Sequence, residues 1–315
     1  MSHFVRISLL LNAFAATLAG SISGCQPSEA SSSGSSTGNG KPLVVCTTGM
    51  VADVVRNVGG DHFEVDQLMG AGVDPHLYKT SPRDVSRLNS ADAIFYSGWH
   101  LEGKMAEVFE RLGRTKPVYA IAESIPREKL LVSEAGTVDP HIWFDVSLWQ
   151  ETVPVVEQAL TKLAPEHAAE FKANAQAYQK RLADLHAEAK EKIAAIPARQ
   201  RVMVTAHDAF RYFGRAYDLE VRGIQGISTD SEAGVRQVNE LVRFLVDRKI
   251  KAVFVETSVS DQNVRSLLEG CRASGHEVVI GGELFSDAPG PEGTPEGTYE
   301  GMIRHNVDTI ANALR

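Results

Sequence analysis

Cysteine is scarce in this 315-residue chain, with 3 in all, at positions 25, 46 and 271. That count excludes a disulfide-rich scaffold as the source of stability. Aromatic residues make up 7%, few for the aromatic cages that hold haem or siderophores. Beyond the N-terminus, no apolar run approaches the roughly 20 residues that a transmembrane helix needs. Neither GxxxxGKS/T nor GxGxxG follows a strand-like run, and there is no GxSxG, so the common nucleotide-binding and serine-hydrolase signatures are missing. Positive charge is in deficit. Against 40 Asp and Glu there are 32 Lys and Arg, a formal net charge of -8. An acidic balance disfavours nucleic acid and broad contact with anionic lipid.

What is present begins with Arg6, ahead of an apolar stretch from Ile7 to about Ala19. Small residues follow, and the pattern predicts a secretory signal whose apolar core is too short to span a bilayer comfortably. Ile22-Ser23-Gly24-Cys25 resembles the bacterial lipobox, which makes Cys25 the lipidated first residue of the mature chain. The alternative is an ordinary cleaved signal with a stray cysteine. The segment after it, QPSEASSSGSSTGNG, favours the lipobox, because it cannot bury apolar surface and suits a flexible tether. Cys46 and Cys271 are expected to be buried free thiols.

After the tether, strand and helix signals alternate. Leu43–Thr47, 63–69, 91–96 and 117–121 read as strands, with helices over 49–58 and 101–112 and another opening at Ser81-Pro82-Arg83-Asp84 between them. Ser81 and Pro82 supply a helix cap and a first-turn proline. This order implies a parallel sheet flanked by helices. From 165 to 196 the apolar residues Phe171, Tyr178, Leu182, Leu185, Ala189 and Ile193 recur at helical spacing. Such a helix would reach about 45 Å and reads as a rigid strut rather than a surface helix of one domain. The βα alternation then restarts, with strands at 201–205, 221–224, 252–255 and 277–280. The expected architecture is α/β. It has two lobes, each a mostly parallel sheet flanked by helices, joined by one long rigid helix. The expected segments are 1–24 signal, 25–41 lipidated cysteine and tether, 42–164 first lobe, 165–196 linking helix and 197–315 second lobe.

Of 10 histidines, most sit in polar or helix-surface contexts and read as solvated. His100 follows a strand but has no partner motif. Three stand apart because each lies at or just beyond a strand exit. His76 is in GVDPHLY, His141 in VDPHIWFD and His207 in VTAHDAF. The first two share Asp-Pro-His, where proline stiffens the turn that holds the imidazole. A fourth ligand is expected from GGELFSD after the last strand, with Asp287 and Glu283 as the competitors. Imidazole combined with carboxylate suits zinc, manganese or iron(II), whereas calcium and magnesium prefer mainly oxygen. Asp74, Asp139 and Glu256 are expected to stand behind the ligands and offset charge.

GVDPHLY, DPHIWFD, VTAHDAFRYF, GGELFSDA and the closing TYEGMIRHNVDTIANAL, in that order, resemble the TroA-like metal-binding receptors of ABC transporters (cluster A-I, or cluster nine). The resemblance spans about residues 42–315. It implies that His76, His141, His207 and Asp287 bind the metal, two from each lobe. It also implies a non-enzymatic, monomeric solute-binding lipoprotein in the periplasm or at the cell surface, with an ABC permease and its ATPase as partners. The cargo implied is Zn2+ or Mn2+, since manganese-selective members often carry glutamate where His207 stands. The chain lacks the long His-rich acidic loop of many zinc-specific members, which leaves manganese open. Competing readings are a zinc-dependent hydrolase that uses the same three histidines and, with no sequence feature of its own, a surface adhesin lipoprotein. Acid is expected to release the metal as histidines protonate near pH ~6.

Overall fold

A computed structural model describes residues 40–133 and 136–315. The signal, Cys25 and nearly all of the tether lie outside the described residues.

The first half is a parallel α/β layer. Strand β1 (Leu43–Cys46) is wholly buried and leads into α1 (Gly49–Gly59), whose valines face inward. Strand β2 (Glu64–Gln67), α2 (Pro82–Ser90), β3 (Ala93–Tyr96), α3 (Ala106–Leu112) and β4 (Val118–Ala120) follow. The strands pair in parallel in the order β2-β1-β3-β4. Val44 lies opposite Val65 on one side and Ala93 on the other. Helix α2 starts where expected. The Ser81 hydroxyl accepts the Asp84 N–H at 3.2 Å, and Asp84 Oδ2 accepts the Ser81 N–H at 2.9 Å, a reciprocal cap. Helices α4 (Val146–Trp149) and α5 (Val153–Leu163) lie outside the elements that the sequence pattern predicts.

The long helix α6 (Ala168–Ala194) has 27 residues, about 40 Å. A short turn at Pro165–His167 precedes it. Its apolar stripe is buried as expected, with Ala175 added. The stripe does more than join the halves. It packs against α1 and α5 of the first half and against the later α7 and α10, so a single apolar core runs the length of the helix. A spine gripped from both sides resists wide hinge motion, because opening would expose that core.

The second half contains β5 (Val202–His207), α7 (Arg211–Tyr217), β6 (Glu220–Gln225), α8 (Val235–Arg248), β7 (Ala252–Glu256), α9 (Gln262–Ala273), β8 (Val279–Leu284) and α10 (Tyr299–Ala313). The strands pair in parallel as β5 with β6 and β7 with β8. The last strand starts two residues later than the expected 277–280 and ends four residues later, at Leu284, beyond Glu283. Val279 and Ile280 are among the exposed large apolar residues, and the central glycines beyond them carry no hydrophobic signal. Cys46 and Cys271 are buried and free.

Candidate metal centre

Each of the four expected side chains sits where a strand or a stiff turn releases the chain. His76 lies in the loop after β2. Its backbone N–H donates to Asp74 Oδ1 at 2.8 Å, so the aspartate of Asp-Pro-His closes a tight turn around the proline. The second Asp-Pro-His does the same, with the His141 N–H on Asp139 Oδ1 at 3.1 Å. His207 is the last residue of β5. The turn there is crowded, because a Cβ on Gly223 of β6 would come within 2.3 Å of the Asp208 nitrogen. Only glycine lets β6 run so close to the His207 exit. Asp287 follows β8 by three residues.

The structure brings these four together. His76 Nε2 and His141 Nε2 are 3.2 Å apart, and His207 Nε2 and His141 Nε2 are 3.3 Å apart. Asp287 Oδ1 is 3.5 Å from His141 Nε2, and its Oδ2 is 3.4 Å from His207 Nε2. One ligand atom from each of the four lies within 4.8 Å of the others, and all four residues are buried. Donors about 2.0–2.1 Å from a tetrahedral zinc stand about 3.3–3.4 Å from one another. The observed spacings bracket that edge length. Glu283, the competitor, ends up within β8 and exposed.

Neighbouring carboxylates fix the rings. His141 Nδ1 is 2.8 Å from Asp139 Oδ1, and His207 Nδ1 is 2.5 Å from Glu256 Oε2. Each bond places a proton on Nδ1 and turns Nε2 toward the centre of the cluster. Asp287 Oδ1 is buried with no hydrogen-bond donor among the described residues. A carboxylate oxygen left so is costly unless a cation faces it.

Electrostatics divide the imidazoles. Burial pushes His76 down to about 4, so it is neutral at ordinary pH. For His207 burial works the same way, but the facing Glu256 and Asp287 carboxylates outweigh it and hold the ring well above its usual value. Asp287 is held well below the carboxylate range. Burial opposes this, but His207, His141 and His76 overcome it. His76 and His207 therefore depart in opposite directions from joint titration near pH ~6.

Further side chains around the ligands also contribute. The Thr229 hydroxyl, in the loop after β6, donates to Asp74 Oδ2 at 2.6 Å. Trp143 Nε1 donates to the Ser286 carbonyl at 3.0 Å. The Ser258 hydroxyl stands 2.7 Å from Ser286 Oγ. Thr229 and Ser258 are lone hydroxyls in loops, and no sequence signal distinguishes them.

A two-lobed α/β body on a long connecting helix, with a buried polar cluster built from loops and strand ends of both halves, defines a solute-binding protein. The family described as "Zinc-uptake complex component A periplasmic" (ZnuA) matches residues 44–313, and this chain belongs to that family. It is a family of uptake components rather than enzymes. The chain is 50% identical over 273 residues to the manganese-binding lipoprotein MntA of Bacillus subtilis, covering 86% of this chain and 89% of that protein. It is also 50% identical over 276 residues to the zinc-binding protein TroA of Treponema pallidum, covering 88% and 90%. The solved structure of the periplasmic zinc-binding protein TroA from Treponema pallidum superposes with a TM-score of 0.86, over 87% of this chain and 99% of that one.

Proposed function

We propose that this protein captures one divalent transition-metal ion, zinc or manganese, between its two lobes and delivers it to an ABC permease and its ATPase. His76, His141, His207 and Asp287 are the ligands. The observation that carries the reading is the orphaned Asp287 Oδ1, buried against three imidazoles whose Nε2 atoms stand at coordination spacing. Three nitrogens and a carboxylate suit zinc. The two Asp287 oxygens face different histidines, and bidentate binding would give the fifth donor that a larger manganese ion accepts. The relatives at 50% identity carry both metals in their names, so identity alone does not choose.

Four protein ligands leave no open position for an activated water, which favours capture over hydrolysis. The protein works as a monomer outside the cytoplasmic membrane, held by a lipid on Cys25 and a tether over 26–41. Lobes 42–164 and 197–315 meet around the ion, with 165–196 between them. The test is to strip the chain from residue 26 onward of metal, titrate zinc and manganese separately, and count bound metal by elemental analysis. One tightly bound ion per chain, lost in His207→Ala, is expected. Tight binding that survives His76→Ala and His207→Ala would end this assignment.

A further inference from the structure

Among the described residues, one other group of imidazole and carboxylate side chains converges. His62 ends the short turn after α1, His167 immediately precedes α6, and Glu170 lies in the first turn of α6. A ligand-type atom from each lies within 4.8 Å of the other two. We propose that His62, His167 and Glu170 form a second, surface site for a borderline divalent transition metal such as zinc, separate from the buried cluster.

His167 and Glu170 are neighbours at the head of α6, but His62 comes from a segment more than a hundred positions away, so local sequence does not force its arrival. His62 Nε2 is 2.9 Å from Glu170 Oε2. The two imidazoles stack with centroids 3.8 Å apart and planes 26° apart. Both rings stand edge-on to Phe171, at 5.6 and 6.1 Å. Phe171 is fully buried and also packs on Phe63, so the rings rest on a rigid floor. Glu166 Oε1, 3.9 Å from His167 Nε2, adds negative charge at the rim.

Coordination needs the stacked rings to swing apart until both lone pairs reach one point. The side chains of His62, His167 and Glu170 are 24%, 37% and 55% exposed, which leaves them room to move. Two imidazole nitrogens and one carboxylate oxygen select zinc, nickel or copper over manganese, calcium or magnesium. With only three protein donors and water in the remaining positions, the site holds metal more weakly than the buried one. A bound ion would pin the loop after α1 to the head of the long helix, stabilising the folded form by mass action.

The experiment is a zinc titration by equilibrium dialysis with elemental analysis, using the chain from residue 26 onward. At saturation the unaltered protein should hold two zinc ions, and His62→Ala with Glu170→Gln should hold one. His76→Ala with Asp287→Ala should also hold one, and all four substitutions together none. Should the central reading fail while this one stands, the unaltered protein holds one zinc and His62→Ala with Glu170→Gln none. Zinc stoichiometry unchanged by His62→Ala with Glu170→Gln overturns the proposal. So does a folded His76→Ala, Asp287→Ala variant that takes up no zinc.

Discussion

His207 is gripped twice by Glu256. One carboxylate oxygen faces the ring Nδ1 at 2.5 Å, and the other takes the backbone N–H of the same residue at 2.9 Å. Both side chains are fully buried. This double contact fixes the ring plane and its tautomer, and it raises the electron density at Nε2. Replacing Glu256 by glutamine keeps the shape but loses the charge and one firm acceptor. Zinc affinity should fall about 10- to 100-fold, read by competition with a chelating dye. An unchanged affinity would mean that the carboxylate plays no part in holding the ligand.

The same pair sets the pH response. With its pKa held well above the usual value by Glu256 and Asp287, the metal-free His207 ring carries a proton at neutral pH. Its Nε2 proton then sits between His141 Nε2 and Asp287 Oδ2, where a cation would sit. Metal binding must expel that proton. Calorimetry in buffers of different ionisation enthalpy should show about one proton released per metal near neutrality. Affinity should fall about tenfold per pH unit below the raised His207 value, and more steeply near pH 4 as His76 begins to protonate. The linkage sign for the metal-free fold follows. A histidine raised in the folded state contributes stability that is present below its unfolded value and lost as pH climbs through the raised one. The stripped protein should therefore lose stability on the alkaline side. Metal uptake without net proton release at pH 7 would overturn this account.

Asp74 joins the halves near the site. It takes the His76 N–H with one oxygen and the Thr229 hydroxyl with the other. The adjacent Asp230 pairs with Lys104 at 3.0 Å, so the loop after β6 is fastened to the first half at two neighbouring points. Thr229→Val removes a cross-half donor without touching a ligand. Metal release should speed up several-fold with little loss of thermal stability, measured by stopped-flow transfer to a chelator. An unaltered release rate would place the opening motion elsewhere.

Much of this was legible in the sequence, for definite reasons. His76 and His141 could be picked out because Asp-Pro-His is a rigid turn, and here each aspartate caps the N–H of its own histidine, although His141 follows no strand. The α6 stripe was legible because one face of a 27-residue helix is buried from end to end. The full extent of strand β8 was not, because it runs on past Ile280 through central glycines that carry no hydrophobic signal. Thr229 and Ser258 were invisible for another reason. Their roles depend on partners 155 and 28 to 29 positions away, and a lone hydroxyl in a loop carries no periodicity.

Stability should depend on a junction remote from the metal. Asp53 of α1 accepts the Tyr178 hydroxyl at 2.6 Å and the Tyr299 N–H at 3.2 Å, which ties α1, α6 and the start of α10 together. Burial raises the Asp53 pKa against the lowering effect of those two donors. Its contribution is therefore greatest when the carboxyl is protonated and declines as pH rises through the raised value. Tyr178→Phe strips one donor from a buried carboxyl and should cost about 1–3 kcal/mol, a Tm drop of several degrees at neutral pH. Asp53→Asn removes the buried charge but keeps only one acceptor oxygen, so its amide nitrogen is set against the donor that faced the lost oxygen, and it should cost at least as much as Tyr178→Phe at pH 7. Thermal denaturation of the two variants in the metal-free state checks the order. If Asp53→Asn proves the milder, the second acceptor oxygen is dispensable and the junction does not depend on both donors.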